Sequence, residues 1–430
     1  MTDLDLMLRF MLQILVVLVA CRVVGWFGQK YLGQAQVTME MLTGVLLGPS
    51  VFGALSPAVQ QSLFPQMMVV GIPSSGKHPS MSILYIIAQI GLVLYMFLIG
   101  LELDLNLIKA RRKAAIAVSV AGILLPFALG CLVFYTMLSH RTDMFGANIP
   151  QTVQALYVGA AMCITAFPML ARIIYEAGIA GTPLGTLAIS AGATDDVFAW
   201  IMLAIVLAFS KGEPAIAVWA IGGGAAFAVA TLTLGKKFLA FLETRDSKEE
   251  TVSQTTFGLV MLFLFAGAWF TDAIGVYAVF GAFVMGVAMP KGRLAKYLQE
   301  RIEPLTVSLF LPFFFVYSGL NTKIGSISGS EHWLICLALL TAAIAGKFGG
   351  CYFAARATGE PKRQAIAIGV LMNSRGLMEL IILNIGLQQK VITVPFFTMM
   401  VIMAIVTTFM AAPLFRKVYG SGFDSEPTPT

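Results

Sequence analysis

Apolar runs of about 20 residues recur along the whole chain, and a helix of that length crosses the hydrocarbon core of a bilayer. Only 12% of the 430 residues are charged, about half of what a soluble domain carries, while 58% are hydrophobic. A chain inserted in lipid has to satisfy its backbone polar groups internally, and separate apolar runs do so as helices. The sequence therefore predicts an all-α polytopic membrane protein.

Hydropathy predicts about thirteen transmembrane helices. They lie near residues 4–27, 37–54, 81–101, 114–138, 152–177, 184–210, 214–242, 253–272, 275–290, 302–320, 332–356, 362–387 and 392–416. The polar, proline-containing residues 418–430 follow the last span, and we predict that they form a short disordered cytoplasmic tail.

The loops alternate in charge along this series of spans. Loops after odd-numbered spans hold eighteen Lys and Arg residues, and loops after even-numbered spans hold five. Basic residues collect in cytoplasmic loops, so the N-terminus is predicted outside and the C-terminus in the cytoplasm of a cell membrane, plasma or inner. The formal charge of +6 is accounted for by the same loops, and nucleic acid is not expected as a partner.

Two groups of three spans, the fourth to sixth and the eleventh to thirteenth, stand seven spans apart. An odd offset makes them enter the membrane from opposite sides, which is the pattern of inverted repeats. The middle span of each group is interrupted, at CITAFPML (163–170) and at LMNSRGLM (371–378). Paired interrupted helices in inverted repeats indicate the central site of a transporter.

Asp195 and Asp196 stand side by side within the sixth span, in GATDDVFAW. A charge at the bilayer centre costs about 2.5–3.5 kcal/mol, so such charges should pair or line an aqueous cavity. Neighbouring residues of a helix point about 100° apart, which favours one carboxylate with a fixed basic partner and one that faces the cavity. Lys347, the only Lys deep in a span, is the candidate partner. Alternatively, residues 194–196 cap a helix in a loop.

Desolvation disfavours the charged form of a carboxyl group, so a carboxylate in such a cavity can hold a proton and release it to a metal cation. This competition is the minimal chemistry of proton–cation exchange. In the interrupted fifth span, Pro168 removes a backbone donor. The freed carbonyl groups and the Thr165 hydroxyl are candidate cation ligands; the alternative is an ordinary proline kink.

The interrupted twelfth span holds a second polar group, which comprises Asn373, Ser374, Arg375 and Glu379. Arg375 and Glu379 are four residues apart and face each other on one side of a helix. We favour an internal ion pair that neutralises both charges. The alternative is that Arg375 offsets exposed carbonyl groups at a broken helix end.

Motifs of other function classes are missing from the sequence. It has no glycine-rich phosphate loop, no Ser-His-Asp order and no metal-hydrolase motif. Neither an enzyme activity nor a cofactor other than the transported ions is therefore expected.

Six motifs occur in order along the chain: LLGPSVFG, CITAFPMLARII, GATDDVFAW, PFFFVYSGLNTKI, GKFGG and NSRGLMELIILNIG. With them, residues 36–417 resemble the monovalent cation:proton antiporter-2 family, which includes the Kef-type and plant cation/H⁺ exchanger proteins. The resemblance implies a homodimer with the Na⁺/H⁺ antiporter fold, in which two broken helices cross and a core moves in an elevator-like cycle. Within the exchanger domain 1–417 it implies a dimerisation part, mainly 1–105 and 214–320, and a core part, mainly 106–213 and 321–417.

The resemblance also implies roles for individual residues. Asp196 would bind the metal cation, Na⁺ or K⁺, and the proton. Asp195 would pair with Lys347, and Thr165 would lie at the first helix break beside the site. The remaining polar and proline residues would support the helix breaks; these are Pro168, Asn373, Ser374, Arg375 and Glu379.

The sequence thus predicts a secondary active antiporter that exchanges protons for Na⁺ or K⁺ by alternating access and contributes to pH homeostasis. The paired acids with Lys347 resemble the Na⁺/H⁺ branch, and their flanking motifs resemble the plant-type exchangers, so the ion stays open. Two alternatives remain: a sodium-coupled symporter of an organic anion on a similar fold, and a cation channel or sensor subunit.

The loop charges make the topology testable in a background without the five native cysteines. A Lys77→Cys variant should react with an impermeant thiol reagent added outside the cell, and a Lys248→Cys variant only when the cytoplasmic side is exposed. The reverse labelling pattern would contradict both the topology and the inverted repeat.

Overall fold

The computed structural model describes residues 3–34, 36–65, 78–102, 112–179, 182–211, 214–246, 252–327 and 329–419. Within these ranges the chain is helical and forms no strand; Phe145 and Ile392 make an isolated antiparallel bridge. The sequence predicts a disordered tail at residues 418–430, but residues 418 and 419 belong to the last helix, which ends at Tyr419. Residues 420–430 lie outside the described residues.

In chain order the helices are α1 (Asp3–Phe27), α2 (Gln36–Leu47), α3 (Phe52–Leu55), α4 (Pro57–Leu63), α5 (Pro79–Glu102), α6 (Arg112–Val133), α7 (Gln151–Cys163), α8 (Phe167–Glu176), α9 (Pro183–Lys211), α10 (Pro214–Ala230), α11 (Lys236–Asp246), α12 (Gln254–Ala273), α13 (Ala278–Ala288), α14 (Arg293–Leu305), α15 (Leu311–Leu320), α16 (Gly329–Ala357), α17 (Lys362–Met372), α18 (Leu377–Gln388) and α19 (Val394–Tyr419). Five-residue π-helical turns continue α1, α6, α10 and α14.

The helices have the length and composition of membrane spans, as the sequence predicts. In the described ranges, nine helical segments are long and apolar enough to cross a bilayer. Two further apolar helices, Ala278–Ala288 and Glu379–Gln388, are shorter. The all-α membrane architecture is therefore confirmed, whereas the number of thirteen spans stays a prediction.

The chain divides into two compact units. The first comprises Met1–Val24, Glu40–Asp104 and Trp200–Thr322, and the second comprises Gly25–Met39, Leu105–Ala199 and Lys323–Thr430. That one part dimerises and the other carries the exchange stays a prediction.

In the first unit, glycines let helices approach at backbone distance. A Cβ atom at Gly286 of α13 would lie 2.9 Å from the Cα atom of Gly100 of α5. Gly44 of α2 and Gly319 of α15 meet in the same way. Lipid gives helices no hydrophobic reason to associate, so close van der Waals contact between small residues holds such pairs together.

In the second unit, α6 and α16 pack along a glycine seam. A Cβ atom at Gly346 would lie 2.7 Å from the Cα atom of Pro126, and one at Gly350 would lie 2.5 Å from the carbonyl oxygen of Ala121. Lys347 follows Gly346 directly. The close contact of α6 with α16 at Gly346 therefore fixes the position from which the Lys347 side chain extends into the second unit.

Two helices of the second unit are broken. The first break separates α7 from α8, and Pro168 is the second residue of α8. At that position the missing N–H costs no helical hydrogen bond, so the expectation that Pro168 frees carbonyl groups is wrong, and so is the alternative of a kink within a continuous helix. The second break separates α17 from α18. It ends at Gly376, whose φ of 151° is rarely adopted by residues with a side chain.

The two breaks touch each other. The Ala166 amide donates to the Ser374 carbonyl oxygen at 3.0 Å, and the Thr165 hydroxyl donates to the Met372 carbonyl oxygen at 3.1 Å. Residues that have left one helix thus satisfy backbone groups of the other break, which lipid could not do.

The glycine seam of the second unit can be tested with adjacent substitutions. Gly350→Ala should lower the melting temperature of the protein in detergent, because overpacking of this kind costs about 1–3 kcal/mol. Gly349→Ala is the matched control, since its Cβ atom would lie 3.8 Å from Leu125 Cδ2, at ordinary contact distance. Equal melting temperatures for the two variants would contradict close packing at Gly350.

Candidate ion-binding site

Asp195 is buried in the second unit and receives donors from three other segments. Ser119 of α6 donates to Oδ1 at 2.5 Å, and Thr165 of the first break donates to Oδ2 at 2.7 Å. Lys347 Nζ of α16 also lies 2.7 Å from Oδ2. Both carboxylate oxygens of Asp195 are therefore occupied, with the ion pair on one and a hydroxyl group on each.

Asp196, the next residue, is equally buried but differently placed. It is 1% exposed, and neither of its carboxylate oxygens accepts a hydrogen bond from the described residues. The backbone amide of Phe167, the first residue of α8, lies near it. A helix N-terminus carries partial positive charge, which attracts an anion without neutralising it. Asp196 thus retains acceptor atoms for a proton or a cation.

The alternative of a helix cap at residues 194–196 is wrong. Asp195 and Asp196 lie well inside α9, which runs without interruption from Pro183 to Lys211. Thr194 donates its hydroxyl hydrogen to Ser190 one turn earlier, as mid-helix hydroxyl groups do. The two acids are therefore interior helix residues, and each needs its own compensation.

Lys347 joins the acidic pair to the first broken helix. Its Nζ donates to the carbonyl oxygen of Cys163, the last residue of α7, at 2.6 Å, in addition to its contact with Asp195. Terminal carbonyl groups of a helix have no internal donor, and a cation there is favourable. One buried ammonium group thus serves both a carboxylate and a helix end.

Arg375 lies at the same helix end. Its guanidinium donates from Nη1 to Ala161 O at 3.3 Å and from Nη2 to Met162 O at 2.5 Å. Nη1 is also 3.5 Å from Glu379 Oε2, a contact without hydrogen-bond geometry. Arg375 thus makes both expected contacts, one with Glu379 and one with the carbonyl groups of a broken helix end. Its hydrogen bonds, however, go to the end of α7 rather than to Glu379.

The other predicted break residues have simpler surroundings. Ser374 donates its hydroxyl hydrogen to Leu371 O at 2.8 Å and accepts from Ala166 through its backbone. Asn373 is 6% exposed, and its Oδ1 has no hydrogen-bond partner among the described residues. The structure thus brings the predicted site residues to one place, while their roles in transport stay predictions.

Two residues of this arrangement escaped the sequence analysis. Ser119 binds Asp195, and Thr408 of α19 holds the second break by accepting from the Arg375 amide and donating to the Arg375 carbonyl group. A usable signal existed for Ser119, because it is the one hydroxyl residue between 113 and 133. Polar groups within spans tend to bond across helices.

The Asp195–Lys347 pair predicts a specific pattern of stabilities. Lys347→Gln should lower the melting temperature, because removing one partner of a buried pair costs about 3–5 kcal/mol. Asp195→Asn in the same chain should recover much of this loss, since it removes the charge left behind. Strictly additive losses in the single and double variants would show that the two residues do not stabilise each other.

Comparison with known proteins agrees with this architecture. The family described as "Sodium/hydrogen exchanger, transmembrane" matches residues 14–417. The Na⁺/H⁺ antiporter NhaS4 of Synechocystis sp. is 37% identical over 420 residues, which cover 97% of this chain and 98% of that protein.

Two eukaryotic relatives are longer. Cation/H⁺ antiporter 18 of Arabidopsis thaliana is 37% identical over 95% of this chain, and K⁺/H⁺ antiporter 1 of Saccharomyces cerevisiae is 30% identical over 96% of it. The chain spans about half the length of these two relatives, 48% and 47%.

The solved structure of the sodium proton antiporter MjNhaP1 from Methanocaldococcus jannaschii shares the fold. The TM-score is 0.67, with 96% of this chain and 97% of that chain covered, at 16% sequence identity. This likeness concerns the fold alone, and it confirms the antiporter fold expected from the motifs. The chain therefore belongs to the sodium/hydrogen exchanger family and is a multi-pass membrane antiporter of cations and protons.

Proposed function

We propose that the antiporter exchanges protons for a monovalent cation, Na⁺ or K⁺, because the two compete for the carboxylate of Asp196. The observation that carries this proposal is the unequal bonding of two adjacent buried acids. Asp195 holds three donors, whereas Asp196 has the Phe167 amide nearby but no hydrogen bond of normal geometry from the described residues. A buried carboxylate without partners is costly, and either a proton or a cation relieves that cost.

Thr165 is suited to assist at the same site. A hydroxyl group has one hydrogen and two acceptor lone pairs. The Thr165 hydrogen is directed to Asp195, with Met372 O as a second acceptor, so the hydroxyl oxygen can still serve as a ligand. Thr165 can therefore bind a cation held by Asp196 without releasing Asp195. The carbonyl groups at the end of α7 already accept hydrogen bonds from Lys347 and Arg375, so they are not further ligands.

Alternating access then requires only that this site open to one side at a time. All the residues of the site belong to the second unit, so a movement of that unit would carry the site intact. We assign the second unit to the moving core and the first to the dimerisation part of a homodimer. We place the protein in a cell membrane, with the N-terminus outside and the C-terminus in the cytoplasm.

The relatives carry different cations in their names, so the ion that this protein transports has to be identified by experiment. They include a Na⁺/H⁺ antiporter, a K⁺/H⁺ antiporter and the Na⁺/H⁺-K⁺ antiporter GerN of Bacillus cereus. In vesicles with a preformed pH gradient and a pH-sensitive dye, adding the transported cation should dissipate the gradient. A symporter of an organic anion would need that anion, and a channel would pass the cation without obligatory proton counterflow.

Asp196→Asn should reduce cation-dependent proton flux to the level of vesicles without protein, because the neutral amide cannot take up and release the exchanged proton and cannot neutralise a cation. Its melting temperature should equal or exceed that of the wild type, since no hydrogen bond from a described residue is lost. Asp272→Asn, at an exposed acid near the end of α12, is the matched control and should exchange normally. Near-normal exchange by a folded Asp196→Asn variant would remove Asp196 from the mechanism.

A further inference from the structure

Ser119 occupies one particular atom of the site. Lys347 and Thr165 both contact Oδ2 of Asp195, and Ser119 alone among the described residues binds Oδ1. Ser119 and Asp195 are both buried, at 0% and 2% exposure. The Ser119 hydroxyl therefore occupies Oδ1 of Asp195 and keeps other groups from binding that oxygen.

The position of Ser119 is fixed by the helix seam. One turn further along α6, a Cβ atom at Gly122 would lie 2.5 Å from Cys351 Sγ and 3.7 Å from Lys347 Nζ. The glycine lets α6 approach α16 closely at the level of the ion pair. Ser119 and Lys347 thus reach the same carboxylate from two helices in close contact.

Occupation of Oδ1 has a consequence for the neighbouring acid. Thr165 contacts Asp195, and the Phe167 amide, two residues further along the chain, lies near Asp196, so both carboxylates border the first break. A free oxygen of Asp195 would therefore be a strong acceptor close to a cation at Asp196. A monovalent cation held by one carboxylate forms a neutral pair. A second anionic oxygen would bind the cation more tightly and slow its release.

We propose that Ser119 is a positioning residue that keeps Asp195 out of the cation site, so that Asp196 alone holds the transported ion. Ser119 touches neither the cation nor the proton; it acts by holding the carboxylate of Asp195 toward α6 and α16. This inference rests on the proposed exchange at Asp196. According to this inference, the apparent cation affinity of the antiporter depends partly on Ser119 of α6, although the cation is held by Asp196 of α9.

The test measures exchange in vesicles over a range of cation concentrations. Ser119→Ala should lower both the cation concentration for half-maximal exchange and the maximal rate by roughly tenfold, the lower end of the range expected for loss of a hydrogen bond to a charged group. Ser119→Thr keeps the hydroxyl and should restore both values. A purely structural serine would lower the amount of folded protein and the maximal rate while leaving the half-maximal concentration unchanged.

Ser190→Ala is the matched control. Ser190 is a buried serine of α9 that donates only within its own helix, to Thr186 O at 2.7 Å, so its removal should leave both values unchanged. If Ser119→Ala does not fold, Ser119→Cys, a weaker donor, should give a smaller shift in the same direction. As a second measurement, added cation should raise the melting temperature of purified Ser119→Ala more than that of the wild type.

The outcomes separate this inference from the proposed function. Absence of cation-driven proton flux in wild-type vesicles would contradict the exchange itself. Wild-type exchange together with an unchanged or raised half-maximal concentration in folded Ser119→Ala would overturn the role of Ser119 and leave the exchange intact.

Discussion

The contact between Asp195 and Lys347 is the constraint around which the second unit is arranged. Neither charge is exposed, so each would destabilise the fold if its partner were removed. To bring them together, α9 and α16 meet at the first break, and α6 closes on α16 through glycines. The same Lys347 reaches the end of α7. The pair therefore fixes the positions of four helical segments, and it also determines which of two adjacent acids is left open.

The buried charges of the site support the proposed competition between one proton and one cation. Asp195, Asp196 and Glu379 are acidic, and Lys347 and Arg375 are basic; none of the five is more than 2% exposed. With every group ionised, the set carries one excess negative charge. A single proton or a single monovalent cation neutralises it, and both together would leave an excess positive charge in a medium that disfavours charge. The charge balance of the whole set thus supports the proposed competition between the two ions.

The sequence predicted those features that depend on composition or on strong local chemistry. The apolar runs indicate the helices, and a lone Lys in an apolar span pointed to Lys347 because an unpaired charge there is costly. Ser119 and Arg375 make contacts that composition and local chemistry do not predict. Ser119 stands out as the one hydroxyl residue between 113 and 133, but nothing in the sequence around it indicates that its partner is Asp195, 76 residues away. The hydrogen bonds of Arg375 reach carbonyl groups more than 200 residues earlier, which only the meeting of the two breaks brings within range. Pro168 was expected to disrupt a helical hydrogen bond because composition shows the residue but not the helix start one position before it.

The broken helices also account for where the cation should be held. The carbonyl end of α7 would attract a cation, but Lys347 and Arg375 already occupy it with hydrogen bonds to Ala161, Met162 and Cys163. On the other side of the break, the Phe167 amide at the start of α8 lies near Asp196. Its partial positive charge offsets part of the charge on that carboxylate, which weakens cation binding. A transported ion must bind and then leave. Under the proposed exchange, a carboxylate near a helix N-terminus, beside a helix end already occupied by Lys347 and Arg375, would be one binding position of moderate strength.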